Sequence, residues 1–402
     1  MSKPKENGVQ THKSVDDHRR QIFMDCLKEL RTDPDADVVH EICVGGRQVK
    51  ILQVALEVGI FDDLESFHKP VTSKDLASEL NYDPLVLKRL LDTLAAMKIL
   101  SKETISGQQV YSNNRTGSVF LCKKSQKCLS SQVMMLEVTR ENHARRFPEA
   151  LKRGSKDFLT NFLKCGQFEE LQNGGNAKLR KVANGKGVRS HNDNTNVDPA
   201  WDHSVLGFHR GLECYKIPAA DLIPVAFDLS SHAHAVDLGG GSGYVAYLLA
   251  NHYPNLKSVT IFDQPCVTEE LKERIHHWRS TSLKVASGDF FKDPLPPADL
   301  YVMGQIIHDW GDDKVNILLT NVFSSLPPGG ELLIFEKVMK EDKSGPLSLL
   351  TFDCLFAAVS EGRERTFSEY KNLLERQGFT NTRCRPFHGV NMIDAIMTQK
   401  PF

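Results

Sequence analysis

Apolar positions recur along this chain with two different periods, and the change of period divides it. From Val38 to Val58 they repeat at helical spacing, with Gly59 placed to cap the end. Val71 to Leu80 reads as a short helix capped by Thr72 or Ser73. Asp83 caps the next helix, and Pro84 takes its first position, where a missing N–H costs little. That helix runs to Leu100 on a stripe of Leu87, Leu90, Leu91, Leu94 and Met97. Ser101 to Ser112 reads as a hairpin around Gly107. Three helices and a hairpin predict a winged helix over residues 37–125, after a polar tail of residues 1–36 with an amphipathic stretch at Arg20–Arg31. A linker, residues 126–204, follows. Its first part, Glu137–Leu171, predicts one or two helices. Its second, Gln172–Asp202, is rich in Asn, Gly, Lys and Arg and reads as an inserted loop.

Residues 205–402 change character. Val205 to Phe227 keeps helical spacing, and then short apolar runs alternate with helical stretches. Ala235–Leu238, Ser258–Phe262, Leu283–Ala286, Asp299–Met303 and Glu331–Val338 read as buried strands, with last strands near Thr382–Pro386 and Met392–Thr398. Helices are predicted over Tyr244–Asn251, Asp309–Leu326, Leu347–Ser360 and Ser368–Gln377. This alternation predicts an α/β, doubly wound, Rossmann-like sheet.

The first strand runs into Gly239, Gly240, Gly241 and Gly243, and the second ends on Asp263. Glycines permit a tight turn and the close approach of a ligand to the backbone. An acid at the second strand's tip can accept from two ribose hydroxyls. Two ligand classes fit. Gly241-Ser242-Gly243-Tyr244-Val245-Ala246 satisfies the dinucleotide pattern G-x-G-x-x-A, whereas Asp237 to Gly243 satisfies D-x-G-x-G-x-G, which suits S-adenosylmethionine.

Bulk properties narrow the partners. Formal net charge is -1, which gives no global case for nucleic acid or a membrane surface. No apolar run approaches the ~20 residues that span a bilayer. Nine scattered cysteines without a C-x-x-C pair suggest reduced thiols, with Cys266 and Cys354 in the core, and a cytoplasmic protein. A winged helix also raises a DNA-binding regulator. However, the polar face of its third helix (Lys88, Arg89, Asp92, Thr93, Lys98) is mixed in sign, where a phosphate-tracking helix is more basic.

Ligands of open α/β sheets bind at the carboxyl ends of the strands. Those ends carry Asp237 and the glycines, Asp263, Asp289 with Phe290, and His308-Asp309-Trp310, with Glu336 on the fifth strand. Glu364 falls between two later helices. His308 is the titratable group suited to taking a proton near neutral pH. No H-E-x-x-H or cysteine cluster argues for a metal.

Val236-Asp237-Leu238-Gly239-Gly240-Gly241, Phe262-Asp263, Gly288-Asp289-Phe290-Phe291, Ile307-His308-Asp309-Trp310, Pro328-Gly329-Gly330 and Glu364-Arg365-Thr366 together resemble the S-adenosylmethionine-dependent O-methyltransferases of the caffeic acid and hydroxyindole (acetylserotonin) type. The match extends from about Gln48 to Lys400, apart from the inserted loop. It looks nearest to the animal acetylserotonin enzymes and their relatives over Phe290–Asp313 and Asp394–Ile396. The resemblance implies an N-terminal winged-helix dimerisation domain, hence a homodimer, and a C-terminal S-adenosylmethionine-binding domain. It implies that His308 deprotonates the hydroxyl of a small aromatic acceptor while Glu336 and Glu364 flank and orient it. Cofactor contacts fall on Asp237, Gly239, Gly241, Asp263, Asp289, Phe290 and Gln305, and acceptor contacts on Asp309, Leu355 and Val359. Val133, Met134, Met135, Phe352 and Phe356 are further candidates for the acceptor pocket. Three positions depart from the acetylserotonin pattern: Gln305 stands for a cofactor-binding Arg, and Leu355 and Val359 for an Asn and a Gln. The family's cofactor-facing Tyr and Trp have no clear match between Val138 and Phe147. These changes predict a more apolar acceptor pocket and keep open a catalytically weak member that acts through dimerisation.

Overall fold

The computed structural model describes residues 21, 34–125, 127–154, 212–275, 278, 282–389 and 393–402. The expected insertion at Gln172–Asp202 lies outside them. Two compact units result: residues to Ile60 with Val71–Tyr111, and Phe61–Pro70 with Ser112 onward.

In the first unit, helix α1 (Pro34–Glu57) ends at Gly59, which adopts φ 78°. Helix α2 (Ile60–Ser66) starts the next segment. Strand β1 (Val71–Thr72) precedes α3 (Ser73–Leu80), where the Thr72 hydroxyl caps the Asp75 N–H. Helix α4 (Pro84–Ala96) starts on Asp83, whose carboxylate accepts from Leu85 N and Val86 N. It ends earlier than its periodicity suggested, because Leu100 already opens β2 (Leu100–Ile105). A tight turn at Ser106 and Gly107, both at positive φ, leads to β3 (Gln108–Asn113). The sheet order is β1-β3-β2, so the wing has three strands. The polar face of α4 is internally compensated. Asp92 takes Lys88 and Lys102, each at 2.7 Å, and accepts from the Tyr111 hydroxyl.

In the second unit, α2 is tied down by its acids. Asp62 accepts from Lys123 N, and Glu65 accepts from Asn113 and Ser118. Helix α5 (Ser130–Arg153) covers the described part of the expected linker helices. Of the helix expected over Val205–Phe227, the described part is helical only at Leu212 and Glu213. Residues 214–226 are turns around a short 3-10 segment, Ile217–Ala219, because Pro218 and Pro224 each remove a helical N–H.

The main sheet then forms as β4 (His234–Leu238), β5 (Ser258–Asp263), β6 (Leu283–Ser287), β7 (Leu300–Gly304), β8 (Glu331–Glu336), β9 (Thr380–Arg385) and β10 (Asp394–Gln399). Its order is β6-β5-β4-β7-β8-β10-β9, the first five parallel and β10 antiparallel to both neighbours. Every residue of β7 is buried, as expected of a central parallel strand covered on both faces. Helices α6 (Tyr244–His252), α7 (Pro265–Ile275), α8 (Asp312–Ser325), α9 (Leu347–Phe356) and α10 (Phe367–Arg376) complete the unit. Helix α7 was not expected. The helix expected from Asp309 starts at Asp312, after a 3-10 turn at Ile307–Asp309. Cys266 is disulfide-bonded and Cys354 is exposed, so neither is the core thiol the sequence suggested.

Candidate active site

Neighbouring strands β4 and β7 leave the sheet in opposite directions, toward β5 and toward β8, and the crevice of such a sheet opens at that point. The second unit has a cavity of about 750 Å³ there. Its lining includes Gly239, Gly241, Asp263, Asp289, Phe290, Gln305, His308 and Asp309 of the expected site. Gly239 sits at φ 66°, and a Cβ there would run into Ile306. Only glycine satisfies both constraints. Asp263 Oδ2 accepts from Gly241 N at 2.8 Å, and its Oδ1 from Gln264 N at 2.7 Å, so the acid also shapes the glycine turn. Asp289 accepts from Phe291 N and Lys292 Nζ. Phe290 stands edge-on to Phe291 and Trp310.

Asp237 is not in the cavity wall. It is buried beneath the glycine turn, and its Oδ2 has no hydrogen-bond partner. Burial pushes its carboxyl up to about 7, against the nearby charge of Lys216 and a backbone hydrogen bond.

His308 lies on the 3-10 turn, 6% exposed. Its Nδ1 is 2.8 Å from Glu364 Oε1, and its Nε2 is 3.4 Å from Asp309 Oδ1. With the carboxylate accepting, Nδ1 carries a proton and Nε2 is the nitrogen left to exchange one. Burial alone would lower the imidazole pKa. The charge of Glu364, then Asp309, the Glu364 hydrogen bond and Glu336 outweigh it and raise it to about 10. Burial raises Asp309 to about 7, with His308 pulling the other way.

Glu336 does not touch the ring. Its Oε1 accepts from the N–H groups of Ile306 (3.0 Å), Ile307 (2.6 Å) and His308 (3.3 Å), and its Oε2 takes the Tyr370 hydroxyl. Here the structure corrects the expectation that both glutamates orient the imidazole. Glu364 orients the ring, and Glu336 holds the backbone beneath it. On the other side Arg365, fully buried, donates to Ile307 O and Trp310 O, and Ser360 Oγ donates to Asp309 O. Gly362 packs so closely on the His308–Trp310 backbone that a Cβ would overlap it. A 3-10 turn has poor internal hydrogen bonds, so these clamps fix its path.

Leu355 and Val359 do not line the cavity. Val359 is buried with Ala358 and Phe356 against Phe147 and Ala150. One helical register away, Phe352 and Phe356 do line it, stacked on the His308 ring at 6.0 and 5.6 Å between centroids. Val133 and Met134 are not among the lining residues. Sequence reasoning also missed Lys216, Arg365, Tyr370 and Gly362. Only Arg365 carried a signal, as part of Glu364-Arg365-Thr366. Among the described residues no cluster of His, Cys, Asp or Glu could hold a metal ion.

A mixed, mainly parallel sheet with this strand order, a glycine turn answered by an acid on the next strand, and a buried imidazole at the crevice define a methyltransferase-type domain. An O-methyltransferase domain family matches residues 192–380, and an O-methyltransferase dimerisation domain family matches residues 41–123. The chain belongs to the O-methyltransferase family. It is similar to the acetylserotonin O-methyltransferase of Bos taurus, 31% identical over 366 residues that cover 90% of this chain and 97% of that one. The Gallus gallus enzyme of the same name is 30% identical, covering 87% and 93%. Among solved structures, human N-acetylserotonin methyltransferase in complex with SAM superposes with a TM-score of 0.76 at 26% identity, over 92% of this chain and 99% of that one. A second, "PigF with SAH", shares the fold, with a TM-score of 0.70 at 21% identity over 92% and 100%.

Proposed function

We propose that the chain transfers a methyl group from S-adenosylmethionine to the hydroxyl of a small aromatic acceptor, a phenol or hydroxyindole, with His308 as general base. The observation that carries this reading is the His308 imidazole itself, held through Nδ1 by Glu364 and reaching the cavity. The residues present fit the donor. The Gly239 turn leaves room where any side chain would clash, and Gln305 Oε1 is buried without a partner. Asp263 would accept from the ribose, Asp289 and Phe290 would contact the adenine, and Gly239 and Gly241 would line the methionine part. Bound there, S-adenosylmethionine supplies an electrophilic methyl on a sulfonium.

The rest is positioning and proton transfer by the chain. Holding acceptor and donor in line can contribute ~7–11 kcal/mol. His308 Nε2 takes the hydroxyl proton as the oxygen attacks, and Glu364 stabilises the imidazolium that results. Asp309 lies near that proton. The stacked planes of His308, Phe352 and Phe356 suit a flat ring better than an aliphatic alcohol.

The test is methyl transfer across phenols, catechols and hydroxyindoles, N-acetylserotonin included, by wild type and His308→Gln. Turnover should fall by ~10²-fold or more with S-adenosylhomocysteine affinity nearly unchanged. A variant that melts, binds and methylates like wild type removes the base role from this histidine.

We also propose a homodimer through the first unit. The match to the dimerisation domain supports it, as do Val38, Val39 and Ile42, exposed at 58–72% on α1. Light scattering reads the mass, and a monomer at micromolar concentration would count against the dimer. Among the described residues no helix is long and apolar enough to cross a membrane. A cytoplasmic location is the reading that six free cysteines among the described residues support, although Cys266 is disulfide-bonded. Tagged protein in a membrane-bounded compartment would exclude it.

A further inference from the structure

Gln305 leaves a charge missing. It stands where the acetylserotonin pattern has a cofactor-binding arginine, and it brings only an amide to the cavity wall. A cation reaches the same wall from elsewhere in the chain. Lys216, on the turn before Ile217, lines the cavity. It packs over Gly304, the neighbour of Gln305, with its Cε 3.2 Å and Nζ 3.8 Å from where a Cβ on that glycine would stand. No ion pair or side-chain hydrogen bond joins Lys216 to any described residue. Burial pushes its pKa below the ordinary lysine range, although Asp237, Glu213 and Asp309 pull it up. An ammonium withdrawn from water without a direct partner is costly to keep. An anion arriving in the cavity would relieve that cost.

The sheet order indicates which anion. Along the crevice the strands run β6, β5, β4, β7. Asp289 and Phe290 follow β6 and Asp263 ends β5, so the adenosine belongs to that half. Gly239 follows β4, and Gly304 ends β7 on the way to His308. The amino-acid end belongs to this second half, where Lys216 sits. We propose that Lys216 anchors the α-carboxylate of S-adenosylmethionine, replacing from another segment the cation that Gln305 lacks. This rests on the cofactor assignment above and adds the residue that reads the amino-acid end. Gly304 is part of the arrangement, because a side chain there would press on the lysine stem.

Calorimetry with two ligands tests it. S-adenosylhomocysteine carries the carboxylate, and 5′-methylthioadenosine keeps the adenosine thioether without the amino-acid end. Lys216→Met should weaken S-adenosylhomocysteine by about ten- to a hundredfold, the range for a hydrogen bond to a charged group. It should leave methylthioadenosine within about twofold and not lower the melting temperature, since an apolar replacement removes an unpaired buried charge. Lys216→Arg should recover most of the S-adenosylhomocysteine affinity. Equal loss for both ligands, or no loss for either, would overturn the anchor while the cofactor assignment stands. Wild type that binds neither ligand would overturn both.

Discussion

Glu364→Gln separates charge from shape at the centre of the site. The amide keeps an oxygen that can accept from His308 Nδ1 and removes the negative charge 2.8 Å away. Three influences then remain on the imidazole: burial, which lowers its pKa and is the largest, and the charges of Asp309 and Glu336. Glu364 is the largest of the raising influences, and it also supplies the hydrogen bond. Its loss should bring His308 down from about 10 toward the ordinary imidazole range, and every pH unit the midpoint falls is a tenfold change in the neutral fraction. At pH 7 the wild-type site is almost entirely imidazolium. Its conjugate base has a strength close to that of a phenolate, whose pKa is ~10, so proton transfer from a phenol is nearly balanced. Wild-type kcat/KM should therefore climb with pH between 7 and 10, and Glu364→Gln should move that limb down to about neutrality. Above pH 9 the variant should be slower, because its base is weaker. NMR titration of the His308 ring reads the midpoint directly. A midpoint and a pH profile both unmoved in Glu364→Gln would refute the assignment of the high pKa to this carboxylate.

Two further expectations concern the same turn and its charges. Gly362→Ala forces a methyl into the His308–Trp310 backbone, so it should destabilise the fold by ~1–3 kcal/mol as overpacking does and lower kcat in the folded fraction; denaturant melts and turnover at wild-type rate would show the contact to be slack. The folded-state pKa values of Asp237 and Asp309 (about 7) and His308 (about 10) all lie above their unfolded values near 4 and 6.5. Each therefore contributes stability present below its unfolded pKa and lost as pH rises through its folded one. Lys216, held below the ordinary lysine range, contributes in the opposite sense on the alkaline side. Ligand-free protein should therefore lose melting temperature from pH 5 to pH 8, and a flat or rising profile there would contradict the raised values.

The elements of the sheet were legible because each is local. Apolar runs, the glycine turn and the acid that answers it fall within thirty residues, from His234 to Asp263. Contacts across the sheet were not. Glu336 reaches the His308 backbone because parallel pairing sets Gly304 beside Phe335, a register no spacing displays. Beyond Glu213 the helix expected over Val205–Phe227 gives way to turns for a local reason, its two prolines. Lys216 escaped notice for a related one, since a lysine in a supposed helix reads as a solvated side chain. On α9 the register decided the outcome. Packing of Val359 against Phe147 and Ala150 turns Phe352 and Phe356, not Leu355, toward His308. The expectation of an apolar acceptor pocket rested on Leu355 and Val359, which do not line the cavity, whereas Phe352 and Phe356 do.

The division of labour among the clamps gives each residue a distinct kind of consequence. One oxygen of Glu336 receives three backbone N–H groups, and Arg365 answers with bonds to two carbonyls of the same turn. Unpaired buried groups cost ~1–3 kcal/mol each, so truncating either residue is first a folding lesion. Glu364 is different, because its oxygen meets the ring and its removal alters acidity before it alters the backbone. The charges follow the same logic. Asp237 and Asp309 are both raised by burial, so the ligand-free site resists its own negative charges, while the nearby charges of Lys216 on Asp237 and of His308 on Asp309 pull the other way. A ligand carrying a carboxylate, an ammonium and a sulfonium adds an anion for Lys216 and net positive charge for the acids. Its demethylated product lacks the sulfonium charge. On the proposed assignment the buried carboxyls should favour the charged donor over the neutral thioether, so the proposed transfer would itself remove an interaction that held the donor.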